Sequence, residues 1–425
     1  MGLSGALSSA ISALASQSTA LSMISDNISN SDTTGYKTTS AMFDDLVTAS
    51  SSSTSYAAGG VTVSGRANIT QQGLLAATTN ATDVAIQGSG FFVVTDGLSG
   101  GNTFYTRNGA FTTDNQGYLV NNGYYLEGWP TDSSGNANET AAPVPINTQA
   151  AASIASATAN VAFDANLPAD ATTNTSTTTT PTTGSSFTSS MTVYDSLGNP
   201  ASISITWTKT GTNTWSAQFG DPTSPSDTST SLGTTSTTNN PITLTFNSDG
   251  SLSGSSPSPA SIAVTWNDGS SNSTINLDLS KLTQNASGET TPSVDVTSIT
   301  PDGYARGTLS SISVSKNTGI VDATYSNGET IPIYKIAVAT FTDPNGLSAG
   351  SDGMYSATAT SGNATLHGSG ENGAGTVYGS ELESSTTDTS GQFSNMISAQ
   401  QAYSAASQVV TTVNKMYDTL ISAMR

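Results

Sequence analysis

Apolar residues recur every seven positions at both ends of the chain, and this pattern limits the available folds more than any other feature. Near the start, one row holds Leu7, Leu14, Leu21 and Ile28, with Leu3 and Ile24 three or four places away. Near the end, one row holds Met396, Tyr403, Val410 and Tyr417, and a second holds Ala399, Ala406, Val413 and Leu420. This spacing predicts two long helices, each with an apolar seam.

Charged residues are scarce in both helical segments. Asp26 is the only charged residue before Asp32, and Lys415, Asp418 and Arg425 are the only ones after Phe393. Two-stranded coiled coils in water usually carry Glu and Lys beside the seam, whereas these segments carry Ser, Gln, Asn and Thr. We therefore expect the two helices to pack against each other and against further copies of the chain. A pair of core helices inside one globular domain is the alternative.

Between about residues 75 and 365 the pattern is that of antiparallel strands. Ten Asn-Gly or Asp-Gly pairs, which favour tight hairpin turns, punctuate the chain. Alternating apolar runs lie between them, for example Ile203, Ile205, Trp207 and Ile242, Leu244, Phe246. Such alternation predicts half-buried strands. The Thr- and Ser-rich tracts 172–186 and 221–240 are predicted to be solvated loops or connections between domains.

Composition excludes several classes of function. The 425 residues include 30 acidic and 10 basic side chains, and a net charge of −20 argues against nucleic-acid binding. The sequence has no Cys and one His, which leaves no disulfide framework and no thiolate or multi-histidine metal site. It has no apolar run of about 18 residues, so no membrane-spanning helix is predicted. The first thirty residues lack Lys and Arg, unlike a secretory signal peptide.

Enzymatic function is the competing hypothesis from another class. The single histidine, His367, sits in a Gly-flanked stretch without a nucleophile motif such as G-x-S-x-G. Composition alone leaves catalysis by a pair of carboxylates open, but most Asp residues stand in turn motifs, where Asp suits the backbone. We predict no catalytic residue, no cofactor and no metal site.

Several motifs, in matching order, resemble those of the bacterial flagellar rod and hook axial proteins. The stretch 27–37 supplies Asn27, Asn30, Thr34, Gly35, Tyr36 and Lys37, and the stretch 105–111 supplies Arg107, Asn108, Gly109 and Phe111. Further matches lie at 86–94, 114–129, 379–385 and 400–403, whereas 385–388 departs from the family pattern. The stretches 193–200, 325–329 and 341–347 resemble segments of hook-type members that rod-type members mostly lack.

The resemblance implies an α+β, mostly β architecture with a terminal coiled-coil helix pair, extended linkers and two nested antiparallel β domains. The expected divisions are 1–30 plus 392–425 for the helix pair, 31–70 plus 365–391 for the linkers, 71–145 plus 285–364 for the first β domain, and 146–284 for the inserted outer domain. Each layer except the last would combine two distant segments.

The resemblance also implies a function. A hook-type subunit would polymerise into a hollow, flexible tube that transmits torque from motor and rod to filament. The tube would lie outside the cell, at the flagellar basal body and hook. The subunit would be exported without a cleaved signal peptide. Its partners would be many copies of itself, rod proteins below, junction proteins above, and a cap and a length-control protein during assembly, with no nucleic acid and no membrane insertion. The alternatives are a secreted β-rich adhesin or surface-layer subunit, or a distal rod protein.

The resemblance and the heptad rows together predict the polymer interface. Its residues are the apolar members of both seams, expected to line the inner tube: Leu3, Leu7, Leu14, Leu21, Ile24, Ile28, Met396, Tyr403, Val410, Val413, Tyr417 and Leu420.

Overall fold

A computed structural model of the chain describes residues 3–46, 59–176, 181–289 and 291–423. The chain forms two compact units. The first comprises Met1–Ala151, Ser311–Thr324 and Thr330–Arg425, and the second comprises Ala152–Ser310 and Tyr325–Glu329. The second unit is thus inserted into the sequence of the first. The Ser/Thr run 50–55 of the expected linker and residues 177–180 of the first Thr-rich tract lie outside the described residues.

Two long helices begin and end the first unit, as the heptad rows predict. Helix α1 spans Leu3–Ser29 and helix α2 spans Thr389–Ala423. Asn27, near the end of α1, donates a hydrogen bond of 3.3 Å to Gln392 in the first turn of α2, so the helices run antiparallel. Ala10, Ala20 and Ala399 are buried, and such small side chains allow close helix approach.

A two-stranded antiparallel ribbon lies along α1 within the expected linker segment. It pairs Thr39–Asp45 with Val61–Ala67. Ser12 Oγ accepts a 3.1 Å hydrogen bond from the Val61 amide, and Ser16 Oγ donates one of 3.2 Å to the Val61 carbonyl. The helix hydroxyls therefore satisfy backbone groups at the start of the second strand, which fixes the ribbon against α1.

The body of the first unit is built on one sheet that is covered on both faces. Its main strand order is Ile320–Tyr325, Thr330–Ile336, Tyr124–Pro130, Phe91–Thr95, Thr103–Thr106, Met354–Ser356 and Ser348–Ala349. Along Phe91–Thr95, Phe92 and Val94 join one buried cluster while Phe91 and Val93 join another. The remaining strands are Leu75–Ala77, Val84–Gln87, Thr112–Thr113, Leu119–Asn121, Val144–Pro145, Val338–Thr340, Thr365–His367, Thr376–Gly379 and Glu381–Glu383.

The second unit contains a five-stranded and a seven-stranded sheet that share one core. The first sheet has the order Gly233–Thr235, Ser261–Trp266, Ser273–Asn285, Asn160–Pro168 and Asp295–Pro301. The second has the order Asp227–Ser231, Thr223–Ser224, Pro200–Gly211, Thr214–Phe219, Ile242–Phe246 and Leu252–Ser256, with Ser186–Tyr194 beside Pro200–Gly211. Ser153–Ser156 pairs with Tyr304–Val314.

The predicted fold class, mostly β with terminal helices, is confirmed, and the alternating residues Ile203, Ile205 and Trp207 are buried as expected. One pair departs from the predicted antiparallel pattern, because Asn160–Pro168 and Ser273–Asn285 run parallel. Parallel neighbours need a long connection, and the strands between these two in the sequence supply it. The loop prediction for 221–240 is wrong in part, since three short strands form there. Thr is β-branched and fits an exposed strand. In the described residues, neither helix meets the length and apolarity needed to cross a membrane.

Candidate assembly site

The predicted interface residues differ in how far one chain already covers them. Val413 is buried, Tyr403 and Leu420 are exposed, and the half-buried members are Leu7, Leu14, Leu21, Ile24, Ile28, Met396, Val410 and Tyr417. Leu3 starts α1, but its side chain lies outside the described part of the structure. The seam therefore joins α1 to α2 within one chain and leaves part of its surface uncovered.

A second set of apolar side chains projects from the helix pair off the heptad rows. Its members are between 53% and 60% exposed: Ile11, Phe393, Ile397, Met416 and Ile421. Sequence reasoning missed them because it followed the rows, although large apolar residues in segments with few charges were a usable signal. Contiguous exposed apolar patches mark interaction surfaces, and Phe393 and Ile397, four residues apart, share one face of α2.

Asn27 ties the end of α1 to the ribbon. Its side chain is almost fully buried. The Oδ1 atom accepts hydrogen bonds from the Thr39 amide at 2.9 Å and the Tyr36 hydroxyl at 3.1 Å, while Nδ2 donates to the Thr39 carbonyl at 2.8 Å. Thr387 Oγ1 donates to the Asn27 carbonyl at 3.1 Å. One asparagine thus links α1, the ribbon and the segment that leads into α2.

A buried ion cluster holds three distant parts of the chain together. Lys37 Nζ lies 2.6 Å from Glu383 Oε1, and Arg107 lies 3.2 Å from Glu383 Oε2. The Gly73 amide also donates to Oε1, at 2.7 Å. We call Lys37, Arg107 and Glu383 the anchor triad. It connects the segment after α1, the body sheet and the segment before α2.

Backbone carbonyls offset the extra positive charge of the anchor triad. Lys37 also donates to the Gln71 carbonyl, and Arg107 donates to the Ile86 and Gly88 carbonyls. The Arg107 guanidinium lies 5.3 Å from the centre of the Phe91 ring, a favourable cation–π contact. Burial lowers the pKa of Lys37 and the pKa of Arg107, and in both cases Glu383 opposes that shift. Loss of Glu383 would leave two buried cations without their counter-charge.

The other motif residues end α1, shape the turn after Arg107 and fill the body core. Asn30 Nδ2 donates to the Asp26 carbonyl at 2.9 Å, and Asn30 Oδ1 accepts from the Thr33 hydroxyl at 3.0 Å, which closes α1. Asn108 Oδ1 accepts from the Ala110 amide at 3.1 Å. Phe111 is fully buried and meets Phe92 edge to face, with 5.7 Å between ring centres.

Two glycines permit close backbone approach in this region. A Cβ atom on Gly109 would overlap the Val84 carbonyl. Gly35 has a φ of +70°, and a Cβ atom there would lie 2.8 Å from the Arg107 carbonyl carbon. Gly35 also donates to the Glu383 carbonyl at 2.7 Å. Thr34 and Tyr36, on either side of it, are half-buried and line a cleft with Tyr355.

We expect Gly35→Ala to destabilise this joint. A left-handed φ costs a non-glycine residue about 1–2 kcal/mol, and the steric overlap should add about 1–3 kcal/mol. The matched control is Gly123→Ala, because Gly123 has a φ of +86° with open space around its Cβ position. Urea unfolding of both variants measures the difference, and equal losses would contradict the proposed close packing.

Glu127, in the body strand Tyr124–Pro130, gives a pH-dependent prediction. Burial raises its pKa from 4.5 to about 7. The folded state therefore binds more protons than the unfolded state between these values, and stability falls as pH rises through that window. We expect Glu127→Gln to stabilise the protein by about 1 kcal/mol near pH 8, given partial solvent screening. The gain should vanish below pH 4.5; a gain that is constant with pH in urea unfolding would refute this.

Family models match most of the chain in sequence order. The flagella basal body rod protein model matches residues 7–37, and the flagellar hook protein FlgE/F/G D1 domain model matches 85–177. The flagellar basal body protein FlaE D2 domain model matches 162–304, and the flagellar basal body rod FlgEFG protein C-terminal model matches 379–423. Both helices and parts of both units are thus represented.

Whole-length relatives agree with these matches. The chain is 32% identical over 446 residues to the flagellar hook protein FlgE of Rhizobium meliloti, with 100% of each chain covered. It is 32% identical over 424 residues to the FlgE protein of Escherichia coli, covering 98% of this chain and 99% of that one. The crystal structure of Helicobacter pylori FlgE2 shares the fold, with a TM-score of 0.52, 14% identity, and coverage of 73% of this chain and all of that one. This chain therefore belongs to the flagellar hook protein family.

Proposed function

We propose that this chain, a structural subunit of the flagellar hook and not an enzyme, assembles through its helix pair into a hollow, flexible tube that transmits torque. The observation that carries the proposal is the nearly uncharged, partly uncovered apolar surface of α1 and α2. Among the described residues of α2, only Lys415 and Asp418 are charged. Neighbouring copies can bury such a surface without burying unpaired charges, and burial of an unpaired charge costs free energy.

The anchor triad supports the mechanical part of the proposal. Torque applied to one part of a subunit must reach the helix pair without local unfolding. Lys37, Arg107 and Glu383 connect the segments flanking both helices to the body sheet, and all three side chains are 5% exposed or less. A buried, multiply hydrogen-bonded cluster resists separation more than exposed ion pairs do. The joint between helices and body is therefore suited to carry load.

The finer assignments belong to the same proposal. The helix pair 1–30 plus 392–425 forms the inner layer, the segments 31–70 and 365–391 lead outward, and 71–145 plus 285–364 and then 146–284 form the outer domains. The predicted interface residues lie in the inner layer. Rod proteins adjoin the lower end and junction proteins the upper end, and a cap and a length-control protein act during assembly. The tube lies outside the cell, and export leaves no cleaved signal peptide.

The proposal predicts that salt promotes assembly. Each subunit carries a net charge of −20, so copies repel one another at low ionic strength. The Debye length falls from about 30 Å at 0.01 M to about 8 Å at 0.15 M salt. We expect the purified chain to form tubes at a lower concentration in the higher salt, measured by sedimentation and electron microscopy. A chain that stays monomeric under all these conditions would overturn the proposal.

A further inference from the structure

An uncharged groove opens at one end of the helix pair. It lies between α1, the ribbon and α2, with a volume of about 470 Å³. Its apolar lining includes Ala20, Ile24, Phe43 and Ala402, and none of its lining residues is charged. Phe43 is 47% exposed at its edge. The groove therefore suits small or apolar side chains and offers no charged partner.

The opposite end of the pair carries an unpaired stretch of helix. The described α2 has 35 residues and α1 has 27, so α2 extends about 12 Å further at 1.5 Å per residue. The end of α2, 414–423, which we call the overhang, contains this unpaired stretch, and only Tyr417 within it is partly covered. Met416 and Leu420 are 53% and 55% exposed, and they share one helical face with Ala423.

The charges of the overhang do not obstruct contact through that face. Asp418 lies on the far side of the helix from Met416 and Leu420, as their spacing in the sequence requires. Lys415 borders the apolar face, and its long side chain can lay its stem along an apolar surface while its amine stays in water. The overhang thus presents an apolar, nearly neutral face of the kind that the groove can accept.

We infer that the overhang of one copy docks into the groove of the next, with Leu420 and Met416 entering between α1, the ribbon and α2. This inference rests on the proposed tube. The groove adjoins Gln392 at the start of α2, whereas the overhang lies at its end. Two different patches at opposite ends form a heterologous contact that can repeat without closing. If the overhang of one copy contacted the overhang of another, the same patch would be used on both sides and assembly would stop at a dimer.

The absence of cysteine from the sequence permits a direct test by cross-linking. The double variant Ser398→Cys, Thr419→Cys places one thiol in the groove and one on the overhang. Within one chain these positions are about 31 Å apart along α2, too far for a short bismaleimide. We expect tubes treated with that reagent to give a ladder of covalent multimers on a denaturing gel, and dilute monomers to give none.

The control pair keeps the overhang and moves the other thiol off the groove. Ser407→Cys with Thr419→Cys uses an exposed site on the same helix, about 18 Å away. We expect at least tenfold less multimer from it. Tubes that give no ladder from the first pair, or equal ladders from both, would overturn the docking and leave the tube intact.

Failure of the proposed function would be visible separately, as an absence of tubes from the unmodified chain by electron microscopy. If the unmodified chain forms tubes but Ser398→Cys prevents them, Asn395→Cys takes its place, because Asn395 is exposed and lines the same groove. The same ladder is then expected, and tubes without it would overturn the docking.

Discussion

Glu383→Gln is expected to lower the free energy of unfolding of the first unit by about 3–5 kcal/mol. The carboxylate of Glu383 lies 2.6 Å from Lys37 and 3.2 Å from Arg107, and its side chain is fully buried. The amide has nearly the same shape but no charge, so both cations would stay buried without their counter-charge. Urea unfolding, with hydrogen exchange at Val84–Gln87 reporting on the first unit, measures the loss.

The chain provides a matched control two residues away. Glu381 stands in the same short strand and pairs with Lys316, whose side chain is 64% exposed. An exposed pair of this kind contributes at most about 1 kcal/mol. Glu381→Gln should therefore change stability little. Similar losses for the two variants would show that the anchor triad is not a distinctive source of stability.

The second large effect is expected from Val413→Asp, which should separate the helix pair and abolish tubes. Val413 is 5% exposed, in the seam between α1 and α2. An unpaired carboxylate buried there would cost several kcal/mol, roughly the whole stability that packing gives a helix pair. The body sheet lies elsewhere and should still fold. Circular dichroism measures the loss of helix, and electron microscopy shows whether tubes form.

Asn414→Asp is the control for that substitution. It adds the same charge at the next residue, which is exposed, and nearly preserves the side-chain shape. We expect the helix pair of this variant to keep its helicity in the monomer. If Val413→Asp retained normal helicity and formed normal tubes, the seam would not be the element that holds the helices together.

Local patterns predicted the elements of this fold because their causes are local. Heptad rows specify helices, so α1 and α2 could be predicted from residues such as Leu14 and Val410. Period-two alternation specifies half-buried strands, so Ile203, Ile205 and Trp207 were predicted to face a core, and they do. In both cases the repeat of the backbone and the burial of one face are encoded within a few residues.

Contacts between distant residues could not be predicted in this way. Lys37, Arg107 and Glu383 were parts of separate motifs, and only the fold brings them within hydrogen-bonding distance. The ribbon was missed because its strands, Thr39–Asp45 and Val61–Ala67, lack strong alternation and depend on support from α1. A signal for the anchor triad was available, since Lys37 and Arg107 are two of only 10 basic residues in the chain.

Copies of this chain are proposed to join through α1 and α2. Cryo-electron microscopy of the assembled polymer tests this proposal most directly. We expect a tube whose channel is lined by these helices, with Met416 and Leu420 covered by a neighbouring copy. A polymer whose helices face outward with both side chains exposed to solvent would contradict it.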